Sequence, residues 1–232
     1  MSKPEKLRVV LVEPGKYARE GTVDKTLPQE LAEDGGLIDA ICLWPEDNVC
    51  LILNDAGTIR QTEPNRELPE YGGIAFGTFF LCGEKGEDFC SLTDEQVARY
   101  LERFRQPELF VPYQNGTLSI PYDRPDLPDA PASVQQAYTE RHGLPALCFA
   151  TLKGIEGVML LRYGERRYLP LGQPPEGMTA SRYADMLNAE LGVSRKQQLA
   201  MLNGALFGWD GIEKVQEEQG VSANHRAKEA ER

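Results

Sequence analysis

Six prolines fall between residues 107 and 131, at positions 107, 112, 121, 125, 128 and 131. Proline lacks a backbone N–H and fixes its own φ, so a cluster of this density interrupts both helices and sheets. We therefore predict a Pro-rich linker over residues 108–131, within which residues 111–122, around Asn115-Gly116, could still form a small hairpin. The linker would separate a first domain, residues 1–107, from a second, residues 132–212, with a flexible tail over the polar residues 213–232.

The first domain has the pattern of short apolar strands separated by turn residues. The strand-like runs are residues 7–12, 37–43, 49–53 and 74–82, and the second and third would form a hairpin around Pro45 and Asn48. Capping-box spacing at Thr26/Gln29 and at Thr93/Gln96 predicts the starts of two helices. The first domain is therefore predicted to be a mixed sheet with two helices packed on it.

The second domain mixes the same elements in a smaller unit. A helix is predicted over residues 133–143, strands over 144–152 and 157–171, and a helical pair over 180–209. The predicted fold class of the whole chain is α+β, ending in a helical hairpin.

The charge balance disfavours some classes of function. The formal net charge is −11, and residues 1–110 hold 21 acidic against 12 basic side chains. Such acidity opposes nonspecific phosphate binding by the whole protein. No apolar run reaches the length of a membrane span, and the N-terminal residues do not read as a signal peptide, so we expect a cytoplasmic protein without membrane contact.

The cysteines and histidines indicate no metal site. The five cysteines form no CxxC pair, and the only histidines are His142 and His225. Cys42/Cys50 and Cys82/Cys90 could face each other across hairpins, but zinc ligands usually sit at shorter spacing. We therefore predict buried, reduced thiols, no metal and no cofactor.

A polar stretch between two apolar runs offers one candidate binding site. Its members are Asn54, Asp55, Asn65 and Arg66. The alternative is structural, since Asn and Asp are the residues that turns require for their own backbone bonds, and Arg66 could pair with a nearby acid. Arg66 is the one member without an obvious role in a turn.

The helical pair offers a candidate DNA contact. The segment 181–207 resembles a helix-turn-helix, with Arg195, Lys196, Gln197 and Gln198 at the start of its second helix. These residue types contact phosphates and bases. An ordinary helical hairpin would show the same apolar stripe, and Asn188 stands where such motifs prefer a small residue.

A nucleophilic site at Cys90 is the remaining chemical hypothesis. Cys90 precedes a predicted helix start, where a thiolate can be stabilised. The neighbouring acids Asp88, Asp94 and Glu95 oppose thiolate formation, which favours an ordinary thiol. No catalytic residue is predicted, and a non-enzymatic role is favoured over a small enzyme of unknown chemistry.

Several ordered motifs resemble an uncharacterised family, domain of unknown function 3846, found on phages and conjugative elements of Gram-positive gut bacteria. They are VEPG, GGLIDAI, NDAG, PNR, GTFFLCG and SLTDEQVARYLERF, which lie within residues 7–106. Residues 187–210 also resemble a module of mobile-element proteins, some of them acidic antirestriction proteins. The resemblance implies a mobile-element accessory protein and assigns no reaction to any residue.

These observations lead to one expectation and two alternatives. The expectation is a non-enzymatic accessory protein that contacts a host or element-encoded protein, with an antirestriction-like DNA mimic as one form of it. The alternatives are a DNA-binding regulator that uses segment 181–207 and a small enzyme.

Overall fold

The computed structural model describes residues 5–25, 38–54, 63–86 and 88–210. They fall into two compact units. Unit 1 comprises Met1–Phe110 with Ser119–Pro121, and unit 2 comprises Val111–Leu118 with Tyr122–Arg232. The predicted helix at Thr26 and the predicted tail at 213–232 lie outside the described residues.

Unit 1 is built on a six-stranded sheet with the order β2-β1-β7-β4-β3, in which β8 also pairs with β7. Its strands are β1 (Lys6–Val12), β2 (Arg19–Asp24), β3 (Ile38–Trp44), β4 (Val49–Asn54), β7 (Phe79–Lys85) and β8 (Asp88–Cys90). A separate hairpin consists of β5 (Pro64–Leu68) and β6 (Gly73–Phe76).

The strand pairings described in the large sheet are all antiparallel. The prediction of a mixed sheet was wrong in this respect, because short connections such as the turn at Pro45–Asp47 cannot return the chain in a parallel direction. The hairpin predicted around that turn is confirmed, with Ala40 facing Ile52 and Ile41 facing Leu51.

Both faces of this sheet are buried, and the side chains of each strand alternate between them. One face presents Val10, Val12, Val49, Leu51 and Leu81 to helix α1 (Asp94–Arg103). The opposite face groups Leu7, Val9, Cys50, Ile52, Phe80 and Cys82. The burial of both faces explains why β4 and β7 read as nearly continuous apolar runs.

Helix α1 begins where its sequence predicts. The Thr93 side chain accepts from the Gln96 backbone N–H, and the Gln96 side chain accepts from the Thr93 N–H, so the predicted capping box is present. Gln96 also donates through Nε2 to the carbonyl oxygen of Asp47 at 2.7 Å. The cap therefore fixes the helix start to the turn between β3 and β4.

The predicted Pro-rich linker contains regular structure. Strands β9 (Glu108–Tyr113) and β10 (Gly116–Pro121) form a two-stranded hairpin, turned at Gln114, whose φ is 50°. Pro112 and Pro121 are tolerated because a two-stranded ladder leaves one edge of each strand without hydrogen bonds to donate.

Unit 2 packs helices on a small antiparallel sheet, and the predicted α+β class is confirmed. Its sheet has the order β11-β12-β13, and three helices accompany it within residues 111–210. The elements are α2 (Ala132–Glu140), β11 (Leu147–Ala150), β12 (Val158–Arg162), β13 (Tyr168–Gly172), α3 (Ala180–Glu190) and α4 (Arg195–Phe207). Among the described residues, no helix is long and apolar enough to cross a membrane.

Candidate functional site

A buried polar node lies at the start of strand β5. Asn65 and Arg66 are both 0% exposed, although consecutive residues in a strand normally point to opposite faces. The β5–β6 register shifts between Pro64 and Arg66, which is the signature of a β-bulge. A bulge redirects one side chain, and this allows two polar residues in succession to face the interior.

Asn65 links two distant parts of unit 1. Its Nδ2 group donates to the carbonyl oxygen of Val12 at 3.0 Å and to that of Gly77 at 2.6 Å. Val12 ends β1, and Gly77, whose φ is 68°, follows β6. The amide therefore joins the end of β1 to the residue that follows β6, and it gives both carbonyl oxygens a buried hydrogen-bond donor.

Arg66 links the same region to the end of helix α1. Its guanidinium donates to the carbonyl oxygens of Lys16 at 2.8 Å and Asn65 at 2.9 Å, and to that of Phe104 at 3.2 and 3.4 Å. A further bond of 2.9 Å reaches Asn65 Oδ1. Phe104 caps the C-terminus of α1, where the helix dipole favours a positive group. The planar guanidinium suits this spread of acceptors.

The four predicted members of the polar stretch thus have different outcomes. The structure brings Asn65 and Arg66 together in a buried node that holds the fold. Asn54 is the last residue of β4 and its side chain is not described, and Asp55 lies outside the described residues. A shared binding site for all four stays a prediction.

Unit 1 also has an open polar cleft that the sequence did not reveal. Its volume is about 430 Å³, within the range of small-ligand pockets. Three elements form it, namely the turn after β3, the β7–β8 hairpin and the start of α1. The lining residues are Asp47, Asn48, Gly83, Glu84, Lys85, Gly86, Cys90, Ser91, Thr93 and Gln96.

Asp47 is held at one wall of this cleft by two donors from α1. Arg99 donates to its carboxylate, and the Tyr100 hydroxyl donates at 2.8 Å. These hydrogen bonds, chiefly that of Arg99, lower the pKa of Asp47 below its usual range. Burial, assisted by the bond to Asp47, raises the pKa of Tyr100. Asp47 therefore remains ionised in mild acid and ties the turn to the helix.

The cysteines depart from the prediction of reduced thiols throughout. Cys42 and Cys50 form a disulfide across β3 and β4. Cys82 lies directly opposite Cys50 in the β4–β7 register, and burial, with smaller effects of Cys90 and Glu84, raises its pKa to about 12. Cys148 is also a buried thiol, with its pKa raised by burial to about 12. Cys90 is half-buried in the wall of the cleft.

In unit 2, the helical pair turns most of its polar candidates inward. Gln198 is buried and donates to the carbonyl oxygen of Phe149 at 2.7 Å. Gln197 donates to the Tyr138 hydroxyl at 2.7 Å and completes a capping box with Ser194. Two of the four predicted DNA contacts are thus used within the fold.

The remaining two contacts lie at the surface. Arg195 donates to the side-chain oxygen of Gln198 and lies 3.7 Å from the carboxylate of Asp185. Lys196 is exposed. A DNA-binding surface on α4 would therefore have only Arg195 and Lys196 of the four predicted contacts, and Arg195 lies beside the acidic Asp185.

Asn188 has a role that sequence reasoning missed. Its amide donates to the Phe149 carbonyl oxygen and accepts from the Phe149 N–H, both at 2.8 Å. Phe149 lies in β11, an edge strand. The Asn188 amide makes the two backbone hydrogen bonds that a further strand would make to this edge. This role explains why Asn stands where a helix-turn-helix prefers a small residue.

The outer face of helix α4 exposes large apolar side chains. Leu199 is 47% exposed, Leu206 is 42% exposed and Phe207 is 79% exposed. Leu199, Leu202 and Leu206 follow the i, i+3, i+7 spacing of a single helix face. The opposite side of the helix buries Met201 and Gly204. We call Leu199, Leu206 and Phe207 the α4 apolar face.

The described residues define a two-unit α+β protein with a buried polar node, a polar cleft and an exposed apolar helix face. Residues 7–105 match the family described as Domain of unknown function (DUF3846), so the resemblance of this segment to an uncharacterised domain family is confirmed.

Curated proteins and solved structures give no functional assignment for this chain. No curated protein matches the chain. Among solved structures, the chain is similar to the one titled "Crystal structure of small RNA methyltransferase HEN1", with 12% identity and a TM-score of 0.29. The similarity covers 83% of this chain and 29% of that chain. A TM-score of this size carries no argument about fold or activity.

Proposed function

We propose that this is a non-enzymatic accessory protein that acts by binding another protein. The α4 apolar face is the observation that carries the proposal. Single exposed apolar residues are common, but several on one helix face mark a surface for protein contact. The apolar stripe that the sequence shows in this helix is thus shared between the core of unit 2 and the surface.

The inward orientation of Gln197 and Gln198 favours protein over DNA as the partner of unit 2. Side chains already bonded to Tyr138 and Phe149 must break those bonds before they can contact a base edge. Buried hydrogen bonds are costly to leave unmade. The DNA-binding alternative therefore depends on Arg195 and Lys196.

The polar cleft of unit 1 gives less support to an enzyme. Among the described residues that line it, Cys90 is the thiol, and no histidine is among them. A nucleophilic cysteine usually needs a base or a positive neighbour. We infer a binding rather than a catalytic role for this unit as well.

The biological setting is part of the proposal. The motifs of residues 7–106 support an origin on phages or conjugative elements of Gram-positive gut bacteria, and we infer a cytoplasmic location. Antirestriction-like DNA mimicry is the narrower form, supported by the net charge of −11. Its carboxylates would take the place of phosphates in a partner's DNA-binding groove.

The test is affinity capture with full-length protein from a host lysate, with and without nuclease. We expect a protein partner that survives nuclease and is lost from the double variant Leu206→Ser/Phe207→Ser. Leu169→Ser is the matched control, because Leu169 is an apolar residue of β13 that is 37% exposed.

Each result has a defined meaning. Loss of the partner from the control as well as from the double variant would remove the α4 apolar face from the proposal. Recovery of DNA that requires Arg195 and Lys196 would replace the proposal by the DNA-binding alternative. Mimicry further requires that duplex DNA compete with this protein for the captured partner.

A further inference from the structure

Three neighbouring strands of unit 1 bring together two sulfurs and a carboxylate. Cys42 lies on β3, Cys50 on β4 and Glu84 on β7, and their ligand atoms are all within 4.8 Å of one another. Cys42 Sγ lies 3.3 Å from Glu84 Oε2. Glu84 is far from the cysteines in sequence, and the pairing of β3 with β4 and of β4 with β7 brings the three residues together.

The disulfide between these cysteines is accessible to reductants. β3 is the outer strand of the sheet, and Cys42 is exposed on it. A protein dithiol or small dithiol can therefore attack the Cys42 sulfur. The attacking dithiol is oxidised to a disulfide, and its two electrons and two protons are transferred to Cys42 and Cys50, which become free thiols. Thiols are the usual state of cysteine in a reducing cytoplasm.

Reduction creates a donor set that suits a divalent cation of intermediate softness. Thiolate sulfur and carboxylate oxygen are both ligands of Zn²⁺. Two sulfurs at about 2.3 Å from a tetrahedral zinc lie about 3.8 Å apart, so the cysteines of a cross-strand pair need only small side-chain rotations to reach that separation. Glu84 already lies beside Cys42 and offers the third ligand atom.

We propose that reduction of the Cys42–Cys50 disulfide creates a binding site for Zn²⁺ formed by Cys42, Cys50 and Glu84. Binding displaces one proton from each thiol and forms two zinc–sulfur bonds and one zinc–oxygen bond. The fourth position remains open to water or to a ligand. The spacing of eight residues between the cysteines argues against a zinc knuckle. Here the third ligand comes from another strand, since Glu84 lies on β7.

The site adjoins the polar cleft. Glu84 belongs both to this cluster and to the wall of the cleft of about 430 Å³. Metal binding would hold the Glu84 carboxylate in its place beside the sulfurs and neutralise part of its charge. The redox state of one hairpin would thus determine both the occupancy of the metal site and the charge available in the cleft. This inference does not rest on the proposed function, since that proposal is carried by the α4 apolar face of unit 2.

The experiment titrates the full-length protein with Co²⁺, a spectroscopic substitute for Zn²⁺, before and after reduction by a dithiol and its anaerobic removal. We expect reduced protein to bind one equivalent, with absorption from thiolate-to-cobalt charge transfer and displacement by Zn²⁺. Oxidised protein should not bind, because disulfide sulfurs are not thiolate ligands. Equal binding by oxidised and reduced protein, or none by reduced protein, would overturn the proposal.

Variants identify the ligands. Cys42→Ser should weaken Zn²⁺ binding, measured against a chromophoric chelator, by about 100-fold or more, because even the outer partners of metal ligands account for 10–100-fold. Glu84→Gln should weaken it by about tenfold or more. Cys90→Ser is the matched control, because it removes a thiol of the same unit whose register partner is Gly83.

Two kinds of result from these variants would contradict the proposed zinc site. Wild-type affinity in Cys42→Ser or Glu84→Gln contradicts the site, as does an equal loss in Cys90→Ser. Far-ultraviolet circular dichroism separates ligand loss from misfolding. In the reduced protein the disulfide is already open and Cys42 is exposed, so its replacement by Ser should leave the fold of the reduced state intact, and Cys42→Ala provides a second substitution at the same position.

Discussion

Replacing Arg66 is the sharpest test of the buried node. In Arg66→Leu, the carbonyl oxygens of Lys16, Asn65 and Phe104 lose their guanidinium donors inside the protein. Each unsatisfied buried acceptor costs about 1–3 kcal/mol, and this loss is partly offset because a charged group no longer has to be desolvated. We expect unfolding of unit 1 to become easier by about 4 kcal/mol, close to the cost of breaking a buried charged pair.

Arg66→Lys separates charge from geometry. If the positive charge at the end of α1 were the main contribution, Lys would restore nearly all the stability. The interaction of a charge with the helix dipole accounts for only about 0.3–1 kcal/mol, however, which is much less than the expected loss. A lysine ammonium cannot present a planar fork to three separated carbonyls. We therefore expect Arg66→Lys to recover no more than about half of the 4 kcal/mol estimated from the lost hydrogen bonds.

The two tryptophans make the measurement possible for each unit separately. Trp44 packs on Tyr100, with ring centroids 5.0 Å apart, and on Phe104, while Trp209 packs on Tyr163 in unit 2. In a Trp209→Phe background, urea unfolding followed by tryptophan fluorescence reports on unit 1 alone.

A partly exposed arginine just after the same helix provides the control. Arg105→Leu removes a surface arginine that lies 3.7 Å from Glu102, and a pair of this kind contributes about 0–1 kcal/mol. If Arg66→Leu cost no more than Arg105→Leu, or if Arg66→Lys matched the wild type, the role assigned to the guanidinium would be refuted.

Three further predictions concern other contacts. Asn188→Leu leaves the Phe149 N–H without its amide acceptor and should destabilise unit 2 by about 2–3 kcal/mol in urea unfolding followed by Trp209 fluorescence. Gly204→Ala would place a Cβ atom 2.7 Å from the Trp209 ring; the indole must move, so we expect a red-shifted emission and a loss of about 1–2 kcal/mol despite the better helix propensity of Ala. Asp47 has a lowered pKa in the folded state, so its stabilisation is complete above the unfolded pKa of about 4 and is lost as pH falls through the folded value. Asp47→Asn should therefore reduce stability at neutral pH and flatten its decline in acid, as measured by urea unfolding across a pH series.

Local rules predicted the elements whose signals lie within a few residues. The capping box at Thr93 and Gln96 was confirmed because both partners of each hydrogen bond lie in one helical turn. The hairpin turned at Pro45–Asp47 was likewise readable from the apolar runs on either side. In the Pro-rich stretch, the small hairpin considered around Asn115-Gly116 is present as β9 and β10, with its positive φ at Gln114.

The roles of polar residues were not readable, because their partners are distant. Asn65 and Arg66 have the composition of a loop, and only the bulge in β5 turns both inward. Asn188 contacts a backbone 39 residues away. No periodicity identifies such a pairing, since the register of the sheet decides which carbonyl needs a donor.

The Arg66 node also has a consequence for synthesis on the ribosome. Its acceptors come from Lys16 and from Phe104, so the node cannot close until the whole of α1 has been translated. Until then α1 does not cover Val10, Leu51 and Leu81, and these side chains remain available to chaperones or to other nascent chains. The final turn of a single helix thus sets the earliest moment at which the first hundred residues can become a finished domain.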